Sequence, residues 1–82
     1  MEHIRLNSRP WADTPPSGRM LRPREVFKRV GLSRSQVYMM ISAHEFPPFL
    51  KLSERTSALP ESWLDAFLLA KANAALQSAQ GR

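Results

Sequence analysis

Apolar residues recur at helical spacing in three stretches of the chain and at strand spacing in one. Between Pro23 and Val30, Val26 and Val30 lie four apart with Phe27 beside them, a stripe that predicts a first helix. Proline at its first position costs nothing, because that N–H has no intrahelical partner anyway. Gly31 supplies the left-handed residue that ends it. Ser33 restarts a helix as N-cap, and Gln36, three residues later, completes a capping box. Val37, Met40 and Ile41 make the inward stripe of this second helix, with Tyr38 at its edge. His44 and Glu45 close it, and Phe46-Pro47-Pro48 cannot continue it.

The strand-like stretch comes next. Leu50 and Leu52 fall on one face and Lys51 on the other, and the polar turn Ser53-Glu54-Arg55-Thr56 leads into Ser57-Ala58-Leu59. Two short extended runs around a polar turn predict a β-hairpin. Leu59-Pro60-Glu61-Ser62-Trp63 opens a last helix, with acidic residues early, where the helix dipole favours them. Trp63, Phe67, Ala70 and Ala74 form one apolar row and Leu64 and Leu68 its neighbour, a face wide enough to cover both hairpin and helix pair. Trp63 and Phe67 read as core rather than as base-stacking platforms, because they sit at helical spacing.

The two ends lack such patterning. Residues 1–19 mix Asn, Ser, Pro, Gly, Asp and Arg around Pro15-Pro16-Ser17-Gly18, and Ile4, Leu6 and Trp11 have no clear period. The expectation is a flexible N-terminal arm, either a disordered tail or a basic arm in which Arg5, Arg9 and Arg19 track phosphates. Residues 20–76 form the folded domain, and 77–82 a frayed tail. The predicted fold is mainly α: a helix pair, a two-stranded β-hairpin and a covering C-terminal helix.

Eighty-two residues allow one small domain with a thin core. The absence of cysteine removes disulfides, thiol nucleophiles and thiolate metal sites. No apolar run approaches the ~20 residues needed to span a bilayer, and the N-terminus lacks the apolar core of a signal peptide, so a cytoplasmic location is expected. The net charge of +5 favours an anionic partner. The excess lies in residues 1–60, since Lys71 and Arg82 are balanced by Glu61 and Asp65 beyond that point.

Helix, tight turn and a polar-headed second helix is the arrangement by which a protein presents hydrogen-bonding side chains to the DNA major groove. Ser33, Arg34, Ser35, Gln36, Tyr38 and Met39 are the candidate groove residues. Arginine can donate two bonds to guanine, glutamine can pair with adenine, serine can fix a phosphate, and methionine can touch a thymine methyl. Tyr38 carries two readings: a phosphate contact through its hydroxyl, or a core ring that reaches solvent with its tip. Lys51, Ser53, Arg55 and Thr56 at the hairpin tip suit a phosphate backbone or a minor groove, although a merely solubilising turn would look similar. Arg24, Lys28 and Arg29 on the first helix either contact backbone or form a solvated face.

His3 and His44 are too isolated for a metal site. With three glycines in the chain there is no glycine-rich phosphate loop, and the serines lack a histidine–acid constellation. No enzyme activity, cofactor or metal is expected.

Leu21-Arg22-Pro23-Arg24-Glu25-Val26-Phe27-Lys28-Arg29-Val30, followed by Gly31-Leu32-Ser33-Arg34-Ser35-Gln36-Val37-Tyr38, resembles the opening of AlpA-like prophage regulators. These are small winged helix-turn-helix proteins, similar to phage excisionases and to the DNA-binding domain of MerR-type regulators. Phe46-Pro47-Pro48-Phe49-Leu50-Lys51-Leu52-Ser53-Glu54-Arg55-Thr56 matches the segment entering the family's wing, and the resemblance covers roughly residues 20–70. It implies Arg34, Ser35 and Gln36 at the groove and Arg55 with Thr56 on the wing. Met39 stands where the family often has a basic residue. Leu59-Pro60 stands where the wing usually ends in tryptophan and a polar residue, and proline fits only a strand edge or end.

The expected partner is therefore double-stranded DNA, bound site-specifically by a bacterial transcriptional regulator of a prophage or integrative element. A domain with few phosphate contacts binds one half-site weakly, so a homodimer or cooperative copies are expected, with recombinase or transcription machinery as further partners. Two alternatives remain: an excisionase-like factor that bends DNA and directs a recombinase, and a protein–protein adaptor using the last helix.

Overall fold

A computed structural model describes residues 9–80. A short 3-10 turn, Pro10–Asp13, is followed by β1 (Met20–Leu21), α1 (Pro23–Val30), α2 (Arg34–Ser42), β2 (Leu50–Ser53), β3 (Thr56–Pro60) and α3 (Glu61–Gln80). The three antiparallel strands run in the order β1-β3-β2. The fold is a small winged helix-turn-helix, with β2 and β3 as the wing.

The helix pair forms for the reasons its sequence states. Arg22 precedes α1, and its backbone N–H donates to Glu25 Oε1 at 2.9 Å. Gly31 ends the helix at φ 72°, its N–H donating to the Phe27 carbonyl at 2.9 Å. At α2, Ser33 Oγ accepts from the Gln36 N–H at 3.1 Å and Gln36 Oε1 accepts from the Ser33 N–H at 2.9 Å, the expected capping box. At the other end, Glu45 N–H donates to the Met40 carbonyl and His44 N–H to that of Ile41, a Schellman arrangement that puts His44 at φ 62°. A side chain in that left-handed position is strained, and glycine is not. His44→Gly is expected to raise the unfolding free energy by about 0.5–1 kcal/mol, read from urea denaturation. An unchanged or lower midpoint would mean that the His44 side chain compensates its own strain.

The core consists of Trp11, Leu21, Val26, Val37, Phe46, Leu59, Leu64 and Phe67, with Phe27, Val30, Leu32, Met40, Ile41, Phe49 and Trp63 packed at its margin. Phe46, in the break after α2, is fully buried and lies 4.6 Å from the Phe67 ring. The residue that marks the end of α2 in the sequence is thus also a core anchor.

Four features depart from the sequence-based expectation. Part of the expected flexible arm is packed: Trp11 is only 6% exposed and its ring lies 6.3 Å from that of Phe67. The chain from Thr14 to Arg19 runs over the start of α3. The Glu61 and Ser62 N–H groups donate to the carbonyls of Arg19 and Ser17, Ser62 Oγ donates to the Pro15 carbonyl, and Trp63 Nε1 donates to that of Thr14 at 2.8 Å. The carbonyls of Arg19 and Ser17 thereby satisfy helix N–H groups that have no intrahelical acceptor. Gly18 sits there at φ 82°, a conformation in which a side chain is strained, and a Cβ would also come within 3.1 Å of Glu61 Cβ. Ile4, Leu6, Arg5 and His3 lie outside the described residues.

Second, the wing gains a third strand. β1 pairs Leu21 with Leu59 and Met20 with Pro60, making β3 central and placing Pro60 at its end, where a missing N–H costs least. Third, an irregularity between Lys51 and Ser53 breaks the period of two, so Leu50 is half-buried while Leu52 is 51% exposed. Fourth, α3 stays helical to Gln80, past the expected fraying at Gln77, while its covering face ends sooner than expected. Leu64 and Phe67 are buried, but Leu68, Leu69, Ala74 and Leu76 are exposed.

Candidate nucleic-acid interface

The capping box that starts α2 also decides what its first turn offers. Arg34, Ser35 and Gln36 are all exposed, and Met39 follows one turn on at 67% exposure. Gln36 uses its carbonyl oxygen to accept from Ser33, so the group left outward is its amide NH₂. The Arg34 guanidinium carbon lies 5.3 Å from the centroid of the Tyr38 ring. Arg34, Ser35 and Gln36 can therefore each donate a hydrogen bond outward.

Tyr38 joins a three-ring cluster. Its ring lies 6.3 Å from Phe27 on α1 and 5.8 Å from Phe49, the residue before β2, and Phe27 meets Phe49 edge-on at 6.4 Å. The cluster ties α1, α2 and the base of the wing together. Cations lie around it, since Arg34 lies over Tyr38, and Arg24 and Lys28, with Glu25, line a concavity that includes Phe27. The sequence separates Phe27 and Phe49 into a core stripe and a strand start, and no periodicity joins them. The spacing of four between Arg34 and Tyr38 is the one part of this arrangement that helical geometry makes readable in advance.

The wing residues Lys51, Ser53 and Arg55 are exposed, and Thr56 is half-buried. Lys51 Nζ donates to the Glu54 carbonyl at 3.0 Å, so the lysine folds back across the turn. Arg55 is the cation that projects from the tip without a carboxylate partner among the described residues.

Charge pairing divides the remaining cations. Arg29 reaches Glu61 at 3.3 Å and Asp65 at 3.7 Å, so it braces α1 against α3 rather than joining Arg24 and Lys28. Arg19 pairs with Glu25 at 2.9 Å. Among the described residues, Arg24, Lys28 and Arg34 have no acidic partner.

The Glu25 carboxyl is held below its ordinary value of 4.5, first by the Arg22 backbone N–H and then by the Arg19 side chain. Both bonds favour the charged form, so their contribution to stability is complete above the ordinary value and is lost as pH falls through the lowered one. The stability difference between the parent chain and Glu25→Gln is therefore expected to be full at neutral pH and to shrink below pH 4.5. A difference constant down to the acid limit of folding would contradict this assignment.

No group of His, Asp or Glu among the described residues can hold a metal ion, and no described helix is long and apolar enough to cross a membrane.

The fold, with its capped donor-bearing helix and adjoining wing, defines a winged helix-turn-helix protein. The family described as Prophage CP4-57 regulatory protein (AlpA) matches residues 19–68, and the chain belongs to that family of prophage regulatory proteins. The match runs from β1 into α3, leaving the packed 3-10 turn and the distal part of α3 outside it. No curated protein and no solved structure matches the chain.

Proposed function

We propose that this prophage regulatory protein binds duplex DNA site-specifically and controls transcription of a prophage or integrative element. The head of α2 enters the major groove, and the wing follows the flanking backbone or minor groove. The observation that carries this reading is the capped first turn of α2. It presents Arg34, Ser35 and the Gln36 amide together, on an aromatic cluster that also adjoins the wing, Arg24 and Lys28.

Arg29, where α1 meets α3, is paired with Glu61 and Asp65, whereas Arg24, Lys28, Arg34 and Arg55 have no acidic partner among the described residues. Such asymmetry gives a basic protein one preferred face for a polyanion. Binding, with no catalytic step or cofactor, accounts for this surface, and a cytoplasmic, DNA-associated location goes with it.

One such domain contacts few phosphates, so tight binding requires a homodimer or cooperative copies, with recombinase or transcription machinery as further partners. The exposed Leu69 and Leu76 on distal α3 supply apolar surface for contact between copies. An excisionase role shares the fold and is separated by the pattern of sites: several direct repeats beside an attachment site favour it over promoter control.

Salt dependence tests the wing. Arg55→Ala is expected to weaken binding to most sequences alike and to flatten the slope of log affinity against log salt by about one unit. A slope equal to the parent's would remove Arg55 from the phosphate contacts.

A further inference from the structure

Arginine is among the most flexible side chains, carrying about 2 kcal/mol of rotamer entropy. An arginine that reads a base edge loses much of that freedom on binding unless it is held beforehand. In this chain the Arg34 guanidinium rests 5.3 Å from the centroid of the Tyr38 ring, one helical turn further along α2. Tyr38, 38% exposed, packs one side of its ring against others, lying 6.3 Å from Phe27 and 5.8 Å from Phe49, which in turn meet at an interplanar angle of 90°. Three rings from three segments therefore form a packed base beneath a side chain that would otherwise sweep through solvent.

The chemistry beside Arg34 narrows the base it would meet. The Gln36 carbonyl oxygen accepts from the Ser33 N–H, and Arg34 is the side chain of this turn that carries donors alone. In the major groove guanine offers two acceptors, N7 and O6, whereas adenine offers one acceptor and one donor. Gln36 Oε1 keeps a second lone pair beside the capping bond, so the guanine assignment rests on Arg34 rather than on Gln36. The Arg34 guanidinium, with donors only, matches the two acceptors of guanine.

We propose, resting on the DNA-binding reading above, that Tyr38 is a positioning residue that holds Arg34 for bidentate recognition of a guanine. Its ring does the work, and its hydroxyl is not required. The ring favours the guanidinium through its quadrupole, an interaction that strengthens as water leaves the interface.

The test begins with duplexes carrying a randomised central segment, selected with the full chain. In the selected duplex each guanine is replaced in turn by adenine. The ratio of the two affinities is then measured for the parent, Arg34→Lys, Tyr38→Leu and Tyr38→Phe. A ratio between two duplexes is insensitive to the fraction of protein that is folded, so a destabilised variant still reports preference. Arg34 is exposed, which makes Arg34→Lys a second probe that leaves the core alone.

The expected result is one guanine whose replacement costs the parent about tenfold or more. That ratio collapses in Arg34→Lys, falls roughly three- to tenfold in Tyr38→Leu, and is restored in Tyr38→Phe. A Tyr38→Leu ratio equal to the parent's overturns the proposal. So does a Tyr38→Phe ratio as low as that of Tyr38→Leu, which would assign the effect to the hydroxyl. A parent chain that binds duplex with salt dependence but prefers no guanine overturns this inference alone. A parent that binds no duplex overturns the DNA-binding reading and this inference with it.

Discussion

Trp11→Ala is expected to lower the unfolding free energy by about 3–5 kcal/mol, the cost of truncating a buried large aromatic residue. Trp11 is a buried member of the core and packs on Phe67, which also carries Phe46. Removing its ring opens a cavity beside both. It also loosens the segment whose carbonyls receive the first N–H groups of α3 and the Trp63 indole. Small domains have a total stability of about 5–15 kcal/mol, with a thin core near the lower end, so the variant is expected to be partly unfolded at 37 °C. Urea denaturation followed by circular dichroism measures the change. A loss below about 1 kcal/mol would mean that the segment before β1 lies outside the cooperative unit.

The second large effect is on binding. Arg34→Ala is expected to weaken affinity for the selected site by roughly ten- to a hundredfold, the range of one good bidentate base contact, and to weaken non-specific affinity far less. Gln36 needs a different substitution, because Gln36→Ala also removes the bond that caps Ser33. Gln36→Glu keeps an acceptor at the capping position, since glutamate serves there as well as glutamine. It replaces the outward amide donor with an anionic oxygen, which phosphates repel. The expected outcome is an unchanged thermal midpoint with duplex affinity lowered at least tenfold. Unchanged affinity in both Arg34→Ala and Gln36→Glu, measured by fluorescence anisotropy on one duplex, would remove the head of α2 from the groove.

The elements nearest the candidate interface were the most legible in the sequence, for a physical reason. Gly31, Ser33 and Gln36 act locally: a left-handed residue and a capping box need only their immediate neighbours, and the structure has both as expected. The hairpin was legible from its polar turn, but not its irregularity at Leu52, which depends on how β2 settles against β3. What escaped were long-range arrangements. Trp11 has no apolar neighbour at helical or strand spacing, because its partner is Phe67, far along the chain. Met20-Leu21 is too short to carry a period, and becomes a strand only because β3 has an open edge. Leu68 sits at the edge of the buried row, between buried Phe67 and half-buried Ala70, and Ala74 lies in the exposed stretch of α3 that follows. The three-ring cluster likewise unites Phe27, Tyr38 and Phe49 only once α1, α2 and the wing are packed together.

The central claim is that the head of α2 reads a DNA sequence, and a footprint on the region upstream of this protein's own operon tests it most directly. The full chain and its Arg34→Ala variant would be compared at several salt concentrations. The account predicts a discrete protected site for the parent, weakening steeply with salt, and loss of that site in Arg34→Ala at protein concentrations where the parent protects it fully. Identical protection by both proteins, or none by the parent at the lowest salt, would contradict it.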